Sequence, residues 1–71
     1  MNDNDIIKQL EAKDIRLTAN RILVAKELLQ ADRALSLSDL EARLGTVDKS
    51  SIFRTLTLLS EHHFVHQIND N

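Results

Sequence analysis

VDKSSIFRTLTLL, residues 47–59, reads as the start and body of an amphipathic helix that extends from 48 to about 62. Asp48 stands at the N-cap position. Lys49, Ser50 and Ser51 fill the first turn, where free N–H groups and the positive end of the helix dipole favour a phosphate, although the Asp48 carboxylate competes for those same groups. On a helical wheel of about 100° per residue, Leu56 and Leu59 fall within roughly 40° of Ile52 and define a buried stripe. Ser50, Arg54, Thr57 and Glu61 fall on the far side. Phe53 belongs to neither face: it stands at about 100° from Ile52, bordering the polar side. Two placements suit it. It packs under a neighbouring element, as large aromatics usually do, or it is displayed. A displayed Phe53 beside Ser50, Arg54 and Thr57 has the chemistry of major-groove recognition. The ring suits a thymine methyl, the guanidinium a guanine or a phosphate, and the hydroxyls either.

Working back from this helix, only Gly45, Thr46 and Val47 separate it from another. Ser36-x-x-Asp39 is a relative of the capping box, and Leu37, Leu40 and Leu44 form one apolar stripe behind it. Gly45, the only glycine in the chain, is expected to end that helix in the left-handed conformation. Two helices joined by so short a turn pack steeply, as in a helix-turn-helix. Further upstream, Thr18 is the expected N-cap of a helix ending near Ala31, with Ile22, Ala25, Leu28 and Leu29 at helical spacing. Before it, Asn4 or Asp5 would cap a helix running to about Lys13 and burying Ile6, Ile7 and Leu10. Downstream, residues 64–68 (FVHQI) alternate apolar and polar as a half-buried strand does, and Asn69, Asp70 and Asn71 look like the start of a turn. A turn implies a second strand, so the expectation is a domain cut at a hairpin. The fold class expected is mainly α: four helices and the first strand of a truncated wing.

Composition narrows the function classes. Seventy-one residues make one domain, which buries only roughly 60% of its unfolded surface. Without cysteine there are no disulfides, no thiolate nucleophile and no Cys-based zinc site. No apolar run approaches the roughly 18 residues of a membrane span, and the polar, acidic start is unlike a signal peptide, so the expected location is cytoplasmic. Paired carboxylates, a nucleophile with its base and a glycine-rich phosphate loop are all missing, which argues against an enzyme. The net charge of −2 does not advertise nucleic acid, but residues 15–26 carry Arg16, Arg21 and Lys26 with no acid among them. His62, His63 and His66 fall within five residues. Capping of the helix end by His62 suits them better than a metal site, because a convincing further ligand is lacking.

Taken together, RLTANR (residues 16–21), LSDL (37–40), SSIFRTLTLL (50–59) and HFV (63–65) resemble, in order and spacing, the N-terminal DNA-binding domain of the ferric uptake regulator family. The resemblance implies a winged helix that binds double-stranded DNA, with helix 48–62 in the major groove and Phe53 and Arg54 facing the DNA, Arg54 toward either a base or a phosphate. It implies that Arg16 reaches toward the minor groove and Arg21 contacts a phosphate. Lys49, Ser50, Ser51 and Thr57 complete the expected DNA-binding set. It further implies a metal-responsive transcription regulator that is a homodimer through a C-terminal domain beyond residue 71, where any zinc or iron would be held; no cofactor is expected within these 71 residues. Departures from the family pattern are Phe53 for Tyr, Ala19 for Pro, His63 for Gly, a shorter turn at 45–47, and Arg33 and Ala34 where a metal-sensing His is usual. The competing expectation is a protein-binding winged helix in which Phe53 and the polar helix face dock a partner.

Overall fold

The computed structural model describes residues 2–64, which form four helices: α1 (Asp3–Ala12), α2 (Ala19–Gln30), α3 (Leu37–Arg43) and α4 (Lys49–Glu61). Each begins where a short polar side chain is available to the first free N–H groups. For α1 that residue is Asn2, whose side-chain oxygen accepts from the Asp5 amide at 3.0 Å. The expected caps, Asn4 and Asp5, lie instead inside the first turn, where Asp3 and Asp5 complement the helix dipole. Thr18 caps α2 as expected, accepting from the Arg21 amide at 3.2 Å. Ser36 and Asp39 form a reciprocal capping box at α3: the Asp39 amide donates to Ser36 Oγ at 3.1 Å, and the Ser36 amide donates to Asp39 Oδ2 at 3.0 Å. Asp48 occupies the N-cap position of α4 without making the cap bond; its carboxylate accepts from the Ser51 hydroxyl instead.

The core draws on every helix and on the loops between them. Ile6, Leu10, Val24, Ala25, Leu40, Ile52, Leu56 and Leu59 are almost fully buried, and Ile15, Leu35 and Leu44 close the edges. The α4 stripe is the one its periodicity predicts. In α2 the deepest residues are Val24 and Ala25, while Ile22, Leu28 and Leu29 are only half-buried. The reason is position: α2 packs against α1, α3 and α4, so its contacts wrap around it rather than follow one stripe. Ile7 and Leu37 are likewise half-buried where full burial was expected.

The left-handed residues are not where the glycine is. Asp14 has φ 59° and His63 has φ 61°, and Gly45 has no positive φ. Both left-handed residues close Schellman motifs. After α1, the Ile15 amide donates to the Leu10 carbonyl and the Asp14 amide to Glu11, each at 3.0 Å. After α4, the Phe64 amide donates to the Leu59 carbonyl at 2.8 Å and the His63 amide to Ser60 at 3.0 Å. Buried Ile15 and half-buried Phe64 supply the apolar contacts that accompany such ends. At the end of α3, the Val47 amide closes a short turn on the Leu44 carbonyl at 2.9 Å, which needs no left-handed residue. The expected conformation of Gly45 is therefore corrected.

His62 is the C-cap residue of α4, as expected, its backbone N–H bonded to the Leu58 carbonyl. Its ring has a further role: Nδ1 lies 3.1 Å from the carbonyl of Lys13, the C-cap of α1, and so ties the ends of two helices together. Of the expected strand at 64–68, only Phe64 is among the described residues; residues 65–68, with His66, lie outside them. Among the described residues no helix is long and apolar enough to cross a membrane.

Candidate nucleic-acid interface

Burial of Ile52, Leu56 and Leu59 turns the opposite side of α4 to solvent, and Lys49, Ser50, Phe53, Arg54 and Thr57 are exposed there. Phe53 keeps 49% of its surface, more than Leu17 or Leu23, the other large apolar side chains left exposed. That decides between its two placements in favour of display. Ser51 is half-buried. Thr55 is buried, a polar residue within the core face that wheel geometry had not singled out.

Hydroxyl groups on this face are not equally available. Thr57 Oγ1 donates to the Phe53 carbonyl one turn back at 3.0 Å, and Ser51 Oγ donates to Asp48. Both retain lone pairs to accept with, but their protons are engaged. Among the described residues the Ser50 hydroxyl has no such intramolecular partner. Hydrogen bonding from the Ser51 hydroxyl, and more weakly from nearby amides and the Arg54 charge, holds the Asp48 carboxyl below its usual value. Asp48 is thus firmly anionic at neutral pH, a negative charge at the entrance to α4.

Two clefts flank the exposed ridge of α4. Leu37, at the start of α3, faces Lys49, Ser50, Phe53 and Arg54 across a cleft of about 510 Å³. On the other side, Thr18, Asn20 and Arg21 from the start of α2 face Ser51, Arg54 and Leu58 across a cleft of about 380 Å³. Arg54 lines both. The structure thus brings Lys49, Ser50, Ser51, Phe53, Arg54 and Arg21 together around one helix. Arg16 and Thr57 line neither cleft; Arg16 is exposed on the loop before α2. That loop is anchored by the Arg21 guanidinium, which donates to the Arg16 carbonyl at 2.8 Å. Leu37, Thr18, Asn20 and Leu58 were not expected at the site. Their sequence positions mark them only as helix-start or stripe residues, and tertiary packing makes them neighbours of α4.

The distribution of ion pairs separates two kinds of basic residue. Lys26 pairs with Asp3 at 3.3 Å, Arg33 with Asp39 at 3.1 Å and Arg43 with Glu27 at 3.6 Å. Arg33 also helps hold the Asp39 carboxyl below its usual range, after the Ser36 amide, which contributes most. Among the described residues, Arg16, Arg21, Lys49 and Arg54 make no ion pair. The positive charge left without a partner thus includes every basic residue expected to meet DNA, with Lys8 and Lys13 of the α1 region besides. Among the described residues no three His, Asp or Glu side chains cluster as metal ligands would. No known protein family matches the chain, and neither a curated protein nor a solved structure is significantly similar to it.

Proposed function

We propose that this chain is the winged-helix DNA-binding domain of a transcription regulator of the ferric uptake regulator type, with α4 as its recognition helix. One observation carries the proposal: α4 buries Ile52, Leu56 and Leu59 while leaving Phe53, Arg54 and Ser50 in solvent. An aromatic half in water costs apolar exposure that folding alone does not require, and its neighbours are a cation and a hydroxyl suited to DNA. That Arg16, Arg21, Lys49 and Arg54 make no ion pair among the described residues supports the same assignment, since phosphate contacts need cations that are not already neutralised. In this proposal a wing follows α4, the protein is cytoplasmic, and dimerisation and metal sensing belong to a separate domain of the full-length protein.

A single domain supplies one recognition helix and few phosphate contacts. Its affinity for duplex DNA should therefore sit near the non-specific range of about 10⁻⁴ to 10⁻⁶ M and fall steeply with salt. Fluorescence anisotropy of a labelled duplex across a salt series measures this. Binding of that strength, with log K falling linearly in log salt, is the expected result. No binding at low salt would overturn the proposal and favour a protein-docking role for the same face.

A further inference from the structure

We propose that the cleft between α2 and α4 seats a single phosphate group, held by Arg21 from one wall and Arg54 from the other. The two arginines come from different helices and line one open cleft of about 380 Å³; no carboxylate is among its lining residues, and the nearby Asp48 carboxylate is engaged by the Ser51 hydroxyl at its edge. Among the described residues neither arginine is neutralised by an ion pair. Arg21 is held in place: it spends one N–H on the Arg16 carbonyl at 2.8 Å, and its own amide is bound by Thr18 Oγ1. Four of the five guanidinium N–H donors remain, on a side chain whose freedom is already reduced. Thr18 Oγ1 accepts the Arg21 amide and so keeps its proton to donate, and the Asn20 amide lies on the same wall. The donor-bearing residues that line this cleft suit a tetrahedral anion, for which forked guanidiniums are the preferred partner.

The source of the phosphate is the duplex backbone, a step that rests on the proposed function. The seat also divides the labour of α4. Arg54 becomes a backbone contact, and base readout falls to Ser50 and Phe53 in the other cleft, where Leu37 provides a second apolar wall.

The seat is tested first without DNA, by titrating the isotope-labelled chain with inorganic phosphate at constant ionic strength and following the arginine Nε–H signals by NMR. Saturable shifts confined to Arg21 and Arg54 are expected, persisting in Arg16→Ala, which keeps the backbone carbonyl, and lost in Arg21→Ala and Arg54→Ala. Arg21→Gln, which retains an N–H for that carbonyl but carries no charge, should lose them too while keeping the fold. In a second arm, an uncharged methylphosphonate linkage is walked along a duplex. At one linkage binding should weaken, and there Arg21→Ala and Arg54→Ala should have no further effect; elsewhere each should lower the salt slope by about one. Phosphate shifts spread evenly over all the lysines and arginines, or two arginines masked by different linkages, would overturn the seat even if duplex binding is normal. Saturation at Arg21 and Arg54 in a chain that ignores DNA would keep the seat and refute the proposed function.

Discussion

Replacing His63 with glycine should stabilise this protein, although it removes a side chain and makes no new contact. His63 occupies the left-handed C′ position of the Schellman motif after α4, at φ 61°. An L-residue there carries a penalty of roughly 1–2 kcal/mol that glycine does not. Against this stands the greater freedom of glycine in the unfolded chain, about 0.5–1 kcal/mol. The His63 side chain is exposed and makes no hydrogen bond among the described residues, so little else is lost. The net gain is about 0–1.5 kcal/mol, centred on about 0.75. For a domain of this size each kcal/mol moves the midpoint by roughly 4–8 °C, within easy reach of a far-UV circular dichroism melt. Gly45→Ala provides the converse. Its φ is not positive and a Cβ there would meet nothing within 4 Å, so alanine should add about 0.4–1 kcal/mol by restricting the unfolded state. Urea midpoints with unchanged slope would confirm that both act on stability alone. A lower midpoint for His63→Gly would refute the reasoning, by showing that the imidazole makes a contact worth more than the backbone strain.

Phe53→Ala should cost about 1 kcal/mol or less in the same melt, because half of the ring is already in water; unfolding of the variant would show that it is a core residue. In duplex binding it should lose affinity chiefly where thymine stands, and replacing thymine by uracil, which removes only the methyl, should reproduce the loss in the unaltered protein. Asp39 and Asp48 both have carboxyl pKa values lowered by folding, so their contribution is present above the unfolded value of about 3.9 and is lost as pH falls through the lower folded values. Carboxyl NMR titration should therefore show both protonating below that value, and Ser51→Ala should move Asp48 upward while leaving Asp39 in place. Melts with and without a chelator should superimpose, since the chain has no cysteine; a drop on chelation would point to the histidines at 62, 63 and 66.

Local chemistry was legible in the sequence. The caps at Thr18 and Ser36, the Ser36–Asp39 box and the Ile52, Leu56, Leu59 stripe depend on spacings of three or four residues within one helix, and the same side chains that mark them in the sequence make them in the fold. The polar face of α4, and with it most of the candidate site, followed from that stripe. Asn2 was missed as the cap of α1 because Asn, Asp, Asn and Asp at 2–5 all offer the same oxygen, and periodicity places a helix start only to within a few residues.

Tertiary structure decided what depends on two elements at once. Whether Phe53 is covered depended on what packs beside α4, and the described residues leave half of it exposed. The central place of α2 among three partners spread its burial beyond any stripe its own sequence defines. The left-handed turns at Asp14 and His63 arise where buried Ile15 and half-buried Phe64 draw the chain back onto the core, so apolar burial there offsets a strain that a glycine would have avoided. Arg21 and Arg54 are 33 positions apart in the chain. They share a cleft only because Val24, Ala25, Ile52 and Leu56 meet in the core and bring the start of α2 against α4, a long-range consequence of apolar burial that no local spacing encodes.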